Sequence, residues 1–265
     1  MATLVCFHAH PDDECIQTGG VMLQAHEAGH RVVLVLATKG EHGEVPDGFL
    51  DPGETLGERR AKEQAAAAEV LGIDRVEYLG YIDSGMMGTP ENDLPGSFWQ
   101  ADVDEAAEQL ASILRDEHAD LITVYDDNGG YGHPDHIQVH RVGLRAAELA
   151  GTPRVYQVTV NRDELFRGIE AMSPAAKEAG IELPDFTAEP TFGKPETDLT
   201  ARVDVSKYVD GKRAAMRVHA SQISEQSFFL QMPDEFFNLA FGTEWYIRDG
   251  QGPGITETDL FDGLD

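Results

Sequence analysis

Two short clusters hold most of the side chains able to bind a metal or move a proton. The first is Ala9-His10-Pro11-Asp12-Asp13-Glu14-Cys15, just after the apolar run Thr3-Leu4-Val5-Cys6-Phe7. Pro11 fixes its own φ and restricts His10, which stiffens the turn. Asp12 and Asp13 are adjacent, so on an irregular turn one can bind a cation while the other holds a water. An aspartate here also suits the cap of a following helix, and that reading stays open for Asp13. The second cluster is Gly129-Gly130-Tyr131-Gly132-His133-Pro134-Asp135-His136. Pro134 suits the first position of a helix, which makes His133 the N-cap and puts His136 in the first turn. Both imidazoles then face the cleft that His10 faces. The plainer alternative is a polar cap with two surface histidines.

Two histidines and a carboxylate from two strand ends form a zinc set that leaves positions for water and substrate. Imidazole also suits Fe2+, cobalt or nickel, so zinc is favoured without being fixed. His136 and His140, four apart, offer another ligand pair. His26, His30, His42 and His118 read as surface residues. Cys15 is a poor nucleophile, since no base is forced beside it and acidic neighbours raise its pKa. Cys6 belongs to a buried strand.

The elements that must position these groups alternate. Strands are expected at 3–7, 31–37, 76–79, 120–125 and 154–160, and helices at 19–29, 56–71, 102–117 and 134–149. Alternation of this kind implies right-handed crossovers and a mainly parallel sheet. Ligands of such sheets bind outside the carboxyl ends of the strands, where both clusters fall. The expected fold is α/β: a Rossmann-like, mainly parallel sheet flanked by helices, with a smaller C-terminal α+β portion. Residues 1–160 form the metal-binding catalytic core. Residues 161–265 complete the substrate cleft within the same compact unit. Residues 173–197, with Pro174, Pro184, Pro190 and Pro195, read as irregular or as a lid. Residues 200–247 add strands and one helix near 210–220, and the tail from Asp249 is expected to be poorly ordered.

The chain has 265 residues and a formal net charge of -28. That field repels phosphate backbones and anionic membranes, which argues against a nucleic-acid partner. No apolar run approaches the roughly 18 residues of a membrane span. The two cysteines make no disulfide framework, and no secretory leader precedes Cys6. A cytoplasmic protein is expected, with an oligomer left open.

Taken together, Ala-His-Pro-Asp-Asp-Glu at 9–14 and Gly-His-Pro-Asp-His at 132–136 resemble the N-acetylglucosaminyl-phosphatidylinositol de-N-acetylase family, the LmbE-like amide hydrolases. Either motif is moderately specific; the pair in order, each after a strand, is strongly so. Asp83-Ser84-Gly85-Met86, Tyr125-Asp126, Asn128 to His133 and His219-Ala220-Ser221-Gln222 are similar to the mycothiol branch. That branch holds a deacetylase of N-acetylglucosaminyl inositol and an amidase of mycothiol S-conjugates. The likeness covers roughly 3–160 well and 200–225 loosely. Cys15 stands where a serine is usual.

The resemblance implies His10, Asp13 and His136 as ligands of Zn2+, and Asp12 as general base. It implies His133 at the oxyanion, with a share in protonating the leaving amine, and Tyr131 as a mobile donor there. It matches Glu44, Arg60, Asp83 and Met86, and more loosely Asn238, to substrate contacts. Arg60 also fits a solvated helix position. Asp135 is expected to orient an imidazole from behind. The substrate implied is a small amino-sugar amide, with the inositol deacetylase favoured by the Asp-Ser-Gly-Met segment. Other N-acetyl sugars or secondary metabolites remain open as substrates. A metal-dependent phosphoesterase fits less well, given one ligand set and an acidic surface. A non-catalytic sugar-binding relative fits less well because every expected ligand and Asp12 are kept. A nucleotide-binding Rossmann protein would need glycines where His-Pro-Asp-Asp stands.

Overall fold

The structure is a computed structural model that describes residues 1–179 and 191–264. Seven strands make one sheet: β1 (Thr3–His8), β2 (Arg31–Leu36), β3 (Arg75–Tyr78), β4 (Leu121–Tyr125), β5 (Arg154–Thr159), β6 (Ala201–Asp204) and β7 (Thr243–Arg248). Their order is β3-β2-β1-β4-β5-β7-β6. β1 to β5 are parallel, while β7 runs antiparallel to β5 and to β6. The unbroken apolar runs of β2 and β4 follow from burial on both faces: all five residues of β4 are buried. The chain leaves β1 toward β2 on one side and returns to β4 on the other. The gap between β1 and β4 is therefore the topological switch point, where an α/β sheet opens a crevice.

The helices are α1 (Asp13–Gln17), α2 (Gly19–Glu27), α3 (Leu56–Leu71), α4 (Val103–Asp116), α5 (Pro134–Ala150), α6 (Arg162–Ala179), α7 (Val209–Val218), α8 (Phe228–Gln231) and α9 (Asp234–Phe241). Local sequence sets the ends of several. α3 opens on a capping box in which Thr55 and Glu58 bond each other's backbone N–H, and it stops at left-handed Gly72. α4 starts where Asp102 accepts from Asp104 N and Glu105 N, and it buries Ala106, Ala107, Leu110 and Leu114 against α5 and the sheet. α5 begins at Pro134 with His133 as its N-cap.

Four features differ from the sequence reading. Residues 200–247 hold three helices, α7, α8 and α9, where one is expected, because α8 and α9 are too short to show a helical period. α1 is a short helix inside what reads as a turn, because Pro11 hides its start. The expectation of irregular chain over 173–197 fails at its beginning: α6 continues through Pro174 to Ala179. The apolar residues N-terminal to Pro174 already define the helix, so the proline does not mark its end. Residues 180–190, with Pro184 and Pro190, lie outside the described residues. The tail is also packed, contrary to expectation. Leu260 and Phe261 are 1% and 7% exposed, and Phe261 stacks on His30 with ring centres 4.4 Å apart. Two apolar residues among aspartates give little local signal, although they fill a prepared hollow.

At the amino ends of the parallel strands, Glu117 accepts from Arg31 Nη2 at 3.1 Å and from Arg75 Nη1 at 2.6 Å. These bonds tie the end of α4 to the first residues of β2 and β3. Hydrogen bonding from Arg31, then Arg75, holds the Glu117 carboxyl down to about 2 against its burial. Its contribution is complete above the ordinary glutamate range near 4.5 and is lost as pH falls toward 2. Because both arginines are about one-third exposed, Glu117→Gln is expected to cost only about 1 kcal/mol at pH 7. Urea midpoints should show that gap at pH 7 and a much smaller one near pH 3; an equal gap at both would remove the ion pair as the cause.

Candidate active site

β1 and β4 deliver the two clusters to the switch point side by side. Asp13, first residue of α1, lies between the two histidines. Its Oδ2 is 3.4 Å from His10 Nδ1 and its Oδ1 is 3.4 Å from His136 Nε2. Ligand atoms of His10, Asp13 and His136 all lie within 4.8 Å of one another, and all three residues are buried. Backbone contacts aim each of them. His10 N donates to Asp13 Oδ2 at 2.9 Å, and His136 Nδ1 lies 3.2 Å from Gly129 O. Gly129 sits at φ 61, and a Cβ there would come within 2.4 Å of His136 Cβ. Only glycine permits that approach.

The decisive atom is His136 Nε2, which is buried and has no hydrogen-bond partner. An orphaned buried acceptor costs roughly 1–3 kcal/mol, so it needs something to bond. It points at Asp13 Oδ1, and the set of two imidazoles and a carboxylate fits a divalent cation. Electrostatics agree. Against the effect of burial, Asp13, Asp135 and Asp83 raise the His10 pKa well above its ordinary value. Burial would raise Asp13 too, yet His136 and His10 hold it well below the carboxylate range. The pocket attracts positive charge, and a metal and protons would compete for it.

The supports behind the cluster are equally ordered. Asp135 is fully buried and its Oδ2 stands 3.0 Å from His10 Nε2. Ser84 N donates to the same oxygen at 3.0 Å, and Ser84 Oγ donates to Asp135 Oδ1. Asp135 thus orients His10, which comes from the opposite cluster. The Tyr125 ring stacks on His136, with centres 4.4 Å apart, and its hydroxyl is 2.7 Å from His8 Nδ1. His133 Nδ1 accepts from Asp135 N at 3.1 Å, so the ring proton sits on Nε2. Burial, then the neighbouring His10 and His136, push the His133 pKa down to about 2. A neutral Nε2–H donor results. Burial and the charge of Asp13 raise the Tyr131 pKa, which keeps its hydroxyl a donor.

Asp12 turns away from Asp13, with φ 103 and Oδ2 3.3 Å from Arg60 Nη2. Its pKa rises to about 6, by burial first, with Arg60 opposing and Asp13 adding.

The family model described as "PIG-L: GlcNAc-PI de-N-acetylase" matches residues 5–147, more than half of the 265. The chain belongs to this family. A 1D-myo-inositol 2-acetamido-2-deoxy-alpha-D-glucopyranoside deacetylase of Acidothermus cellulolyticus is 41% identical over 286 residues, covering 99% of this chain and 95% of the relative. The protein of that name from Geodermatophilus obscurus is 39% identical, covering 98% and 97%. Among solved structures, the N,N'-diacetylchitobiose deacetylase of Pyrococcus horikoshii aligns with TM-score 0.55 at 22% identity, over 93% of this chain and 83% of the other. A 4-carboxy-2-hydroxymuconate hydratase, GalB, aligns with TM-score 0.59 at 18% identity, over 97% and 99%. A hydratase and a deacetylase share this architecture, so the fold alone does not choose the chemistry.

Against the family pattern, the structure brings His10, Asp13, His136, His133, Asp83 and Asp135 into one cluster. Asp83 is 4% exposed, with Oδ1 3.5 Å from His10 Nε2. Met86 stands 52% exposed beyond it, and Tyr131 is 40% exposed. Glu44 is exposed on the loop between β2 and α3, where its carbonyl accepts from Gln222. Asn238 is exposed on α9, and none of its described contacts reaches the cluster. His140 does not pair with His136 for a ligand; its Nδ1 lies 3.0 Å from Tyr125 O.

Arg60 departs from the solvated reading. It is 4% exposed, donating to Gly40 O at 2.9 Å and to Pro11 O. Nη2 thus serves the turn that carries Asp12, while Nη1 holds the loop after β2. The sequence assigns no role to Ser84, Tyr125, Glu14 or His219. All four lie inside segments the family likeness picks out, but nothing local says what they touch.

Proposed function

We propose that the protein is a metal-dependent deacetylase of N-acetylglucosaminyl inositol that holds Zn2+ on His10, Asp13 and His136. The observation that carries the reading is the unpartnered, buried His136 Nε2 facing Asp13, with the Asp12 carboxylate on the adjoining residue. The metal chemistry and amino-sugar class are supported by family membership, and the inositol substrate by relatives of that name near 40% identity. Among the described residues no helix is long and apolar enough to cross a membrane. Two free buried thiols, Cys6 and Cys15, suit the cytoplasm in which we place the protein.

An amide is a weak electrophile, and its amine leaves poorly without a proton. A bound divalent cation supplies Lewis acidity, lowering the pKa of water in the site and polarising the acyl oxygen. Asp12 takes the proton of the attacking water. The Nε2–H of His133 and the hydroxyl of Tyr131 donate to the oxyanion as it forms. Because His133 Nδ1 is spent on the α5 cap, the leaving nitrogen receives its proton from the carboxylic acid of Asp12. Asp83 and Met86 flank the cleft, and Glu44 stands on the loop beyond it, as substrate contacts.

The test is amine release by the zinc-loaded protein from N-acetylglucosaminyl inositol and, in parallel, from a mycothiol S-conjugate. Release from the first is expected. Release from the S-conjugate alone would reassign the protein as an amidase of that branch. No release from either, with metal bound, would move the substrate outside both.

A further inference from the structure

Asp12 has an L side chain at φ 103, ψ -28. A non-glycine residue held in such a conformation costs roughly 1–3 kcal/mol and persists only where its surroundings over-determine it. Three side chains do so. Glu14 Oε2 accepts from Asp12 N at 2.9 Å, the Cys15 thiol donates to Asp12 O at 2.9 Å, and Arg60 donates to Pro11 O. The Glu14 carboxylate has a second anchor. Its Oε1 stands 2.8 Å from Nε2 of His219, which is more than 200 residues away at the end of α7. Both residues are fully buried. The His219 turn is itself pinned, since Ser221 N and Oγ donate to the two oxygens of Glu63 on α3 at 2.9 and 2.6 Å.

We propose that Glu14 and His219 are a positioning pair: His219 orients the Glu14 carboxylate, which grips the Asp12 N–H and keeps the Asp12 side chain turned out of α1 and into the cleft. This rests on Asp12 being the general base. The chemistry of the pair is specific. With Glu14 ionised, His219 donates from Nε2, and its buried Nδ1 has no hydrogen-bond partner. A glutamine at 219 can present an N–H near the Nε2 position, whereas leucine fills the space and offers none. Nothing in the arrangement brings His219 to the substrate. Its loss therefore acts on the geometry of Asp12 and not on substrate binding.

The test compares His219→Leu, His219→Gln and Glu14→Ala in the full, metal-loaded chain. Displacing a catalytic group by about 1 Å costs on the order of 100-fold, so His219→Leu is expected to lower kcat by about that factor with KM unchanged. Metal stoichiometry should also be unchanged. His219→Gln should restore kcat to within about fivefold of wild type, as one retained hydrogen bond predicts. A crystal structure of His219→Leu should show Asp12 out of the left-handed region. Should that variant not fold, Glu14→Ala must show the same kcat loss and the same shift of Asp12. The proposal is overturned if Asp12 keeps its place in the variant crystal, if glutamine is as slow as leucine, or if KM rises while kcat holds. A wild-type protein that releases no amine would sink the functional reading instead, and the crystallographic outcome would still decide the positioning.

Discussion

Replacing Asp12 with alanine is expected to lower kcat by about 10³- to 10⁴-fold, at the upper end of what a general base contributes, while metal stays bound at wild-type stoichiometry. The separation of the two effects follows from the turn. Asp13 faces the histidines and Asp12 faces Arg60. Removing Asp12 deletes the proposed proton acceptor and leaves His10, Asp13 and His136 in place. Alanine at φ 103 also keeps the backbone strain, so Asp12→Asn is the cleaner companion. Asparagine tolerates that conformation and can still bond Arg60, yet it cannot take a proton; it should be as slow as alanine and more stable. The wild-type pH profile should agree. In the proposed mechanism the ionised form of Asp12 is the active one, and burial lifts its pKa to about 6. In kcat/KM, activity should therefore be lost as pH falls through this region, and a bound dication would move that limb lower. Single-turnover amine release alongside metal analysis decides the matter. Near-normal turnover in both variants would show that another group is the base.

His136→Ala should lose the metal. Removing an outer partner of a ligand costs about 10- to 100-fold in affinity, and removing a ligand outright should exceed that. His136 is 1% exposed, and its free Nε2 has no other use among the described residues. The expected result after dialysis against a weak chelator is a metal-free variant beside a stoichiometric wild type. Thermal melts give a second reading. A cation that binds the folded state raises Tm with its concentration, so zinc should shift the wild type and leave His136→Ala nearly unmoved. Tight, stoichiometric zinc in the variant would take His136 out of the ligand set. Acid should strip the wild type too, because both imidazoles must be neutral to bind.

The interior behind the site carries a second buried ionic group. Lys212 Nζ donates to Glu244 Oε1 at 2.7 Å, and the same carboxylate accepts from Gly20 N, Val21 N and Tyr246 Oη. It joins α7, β7 and the first turn of α2. It lashes late elements to the helix that follows the Asp12-Asp13 segment, as Glu14 with His219 does to that segment itself. Breaking such a pair on one side strands a charge, so these contacts fix relative placement more than they add net stability.

Local patterns carried much of this molecule. The apolar runs at 31–36 and 121–125 and the capped helix at 56–71 declare themselves within a few residues, because burial on both faces and a capping box are short-range rules. His10, Asp12, Asp13, His133 and His136 are also legible, since two compact motifs carry them and strand ends are where such motifs act. Other features have no local signature. The antiparallel pairing of β7 with β5 and β6, the burial of Leu260 and Phe261, the grip of Asp135 on His10, and the holds of Arg60, Glu14 and His219 on the Asp12 turn all depend on distant partners. A hydrogen bond between residues 205 apart leaves no periodicity to read. The sequence by itself determined which groups stand at the switch point. Only the tertiary structure decided how each is aimed, because aim is set by long-range bonds and packing.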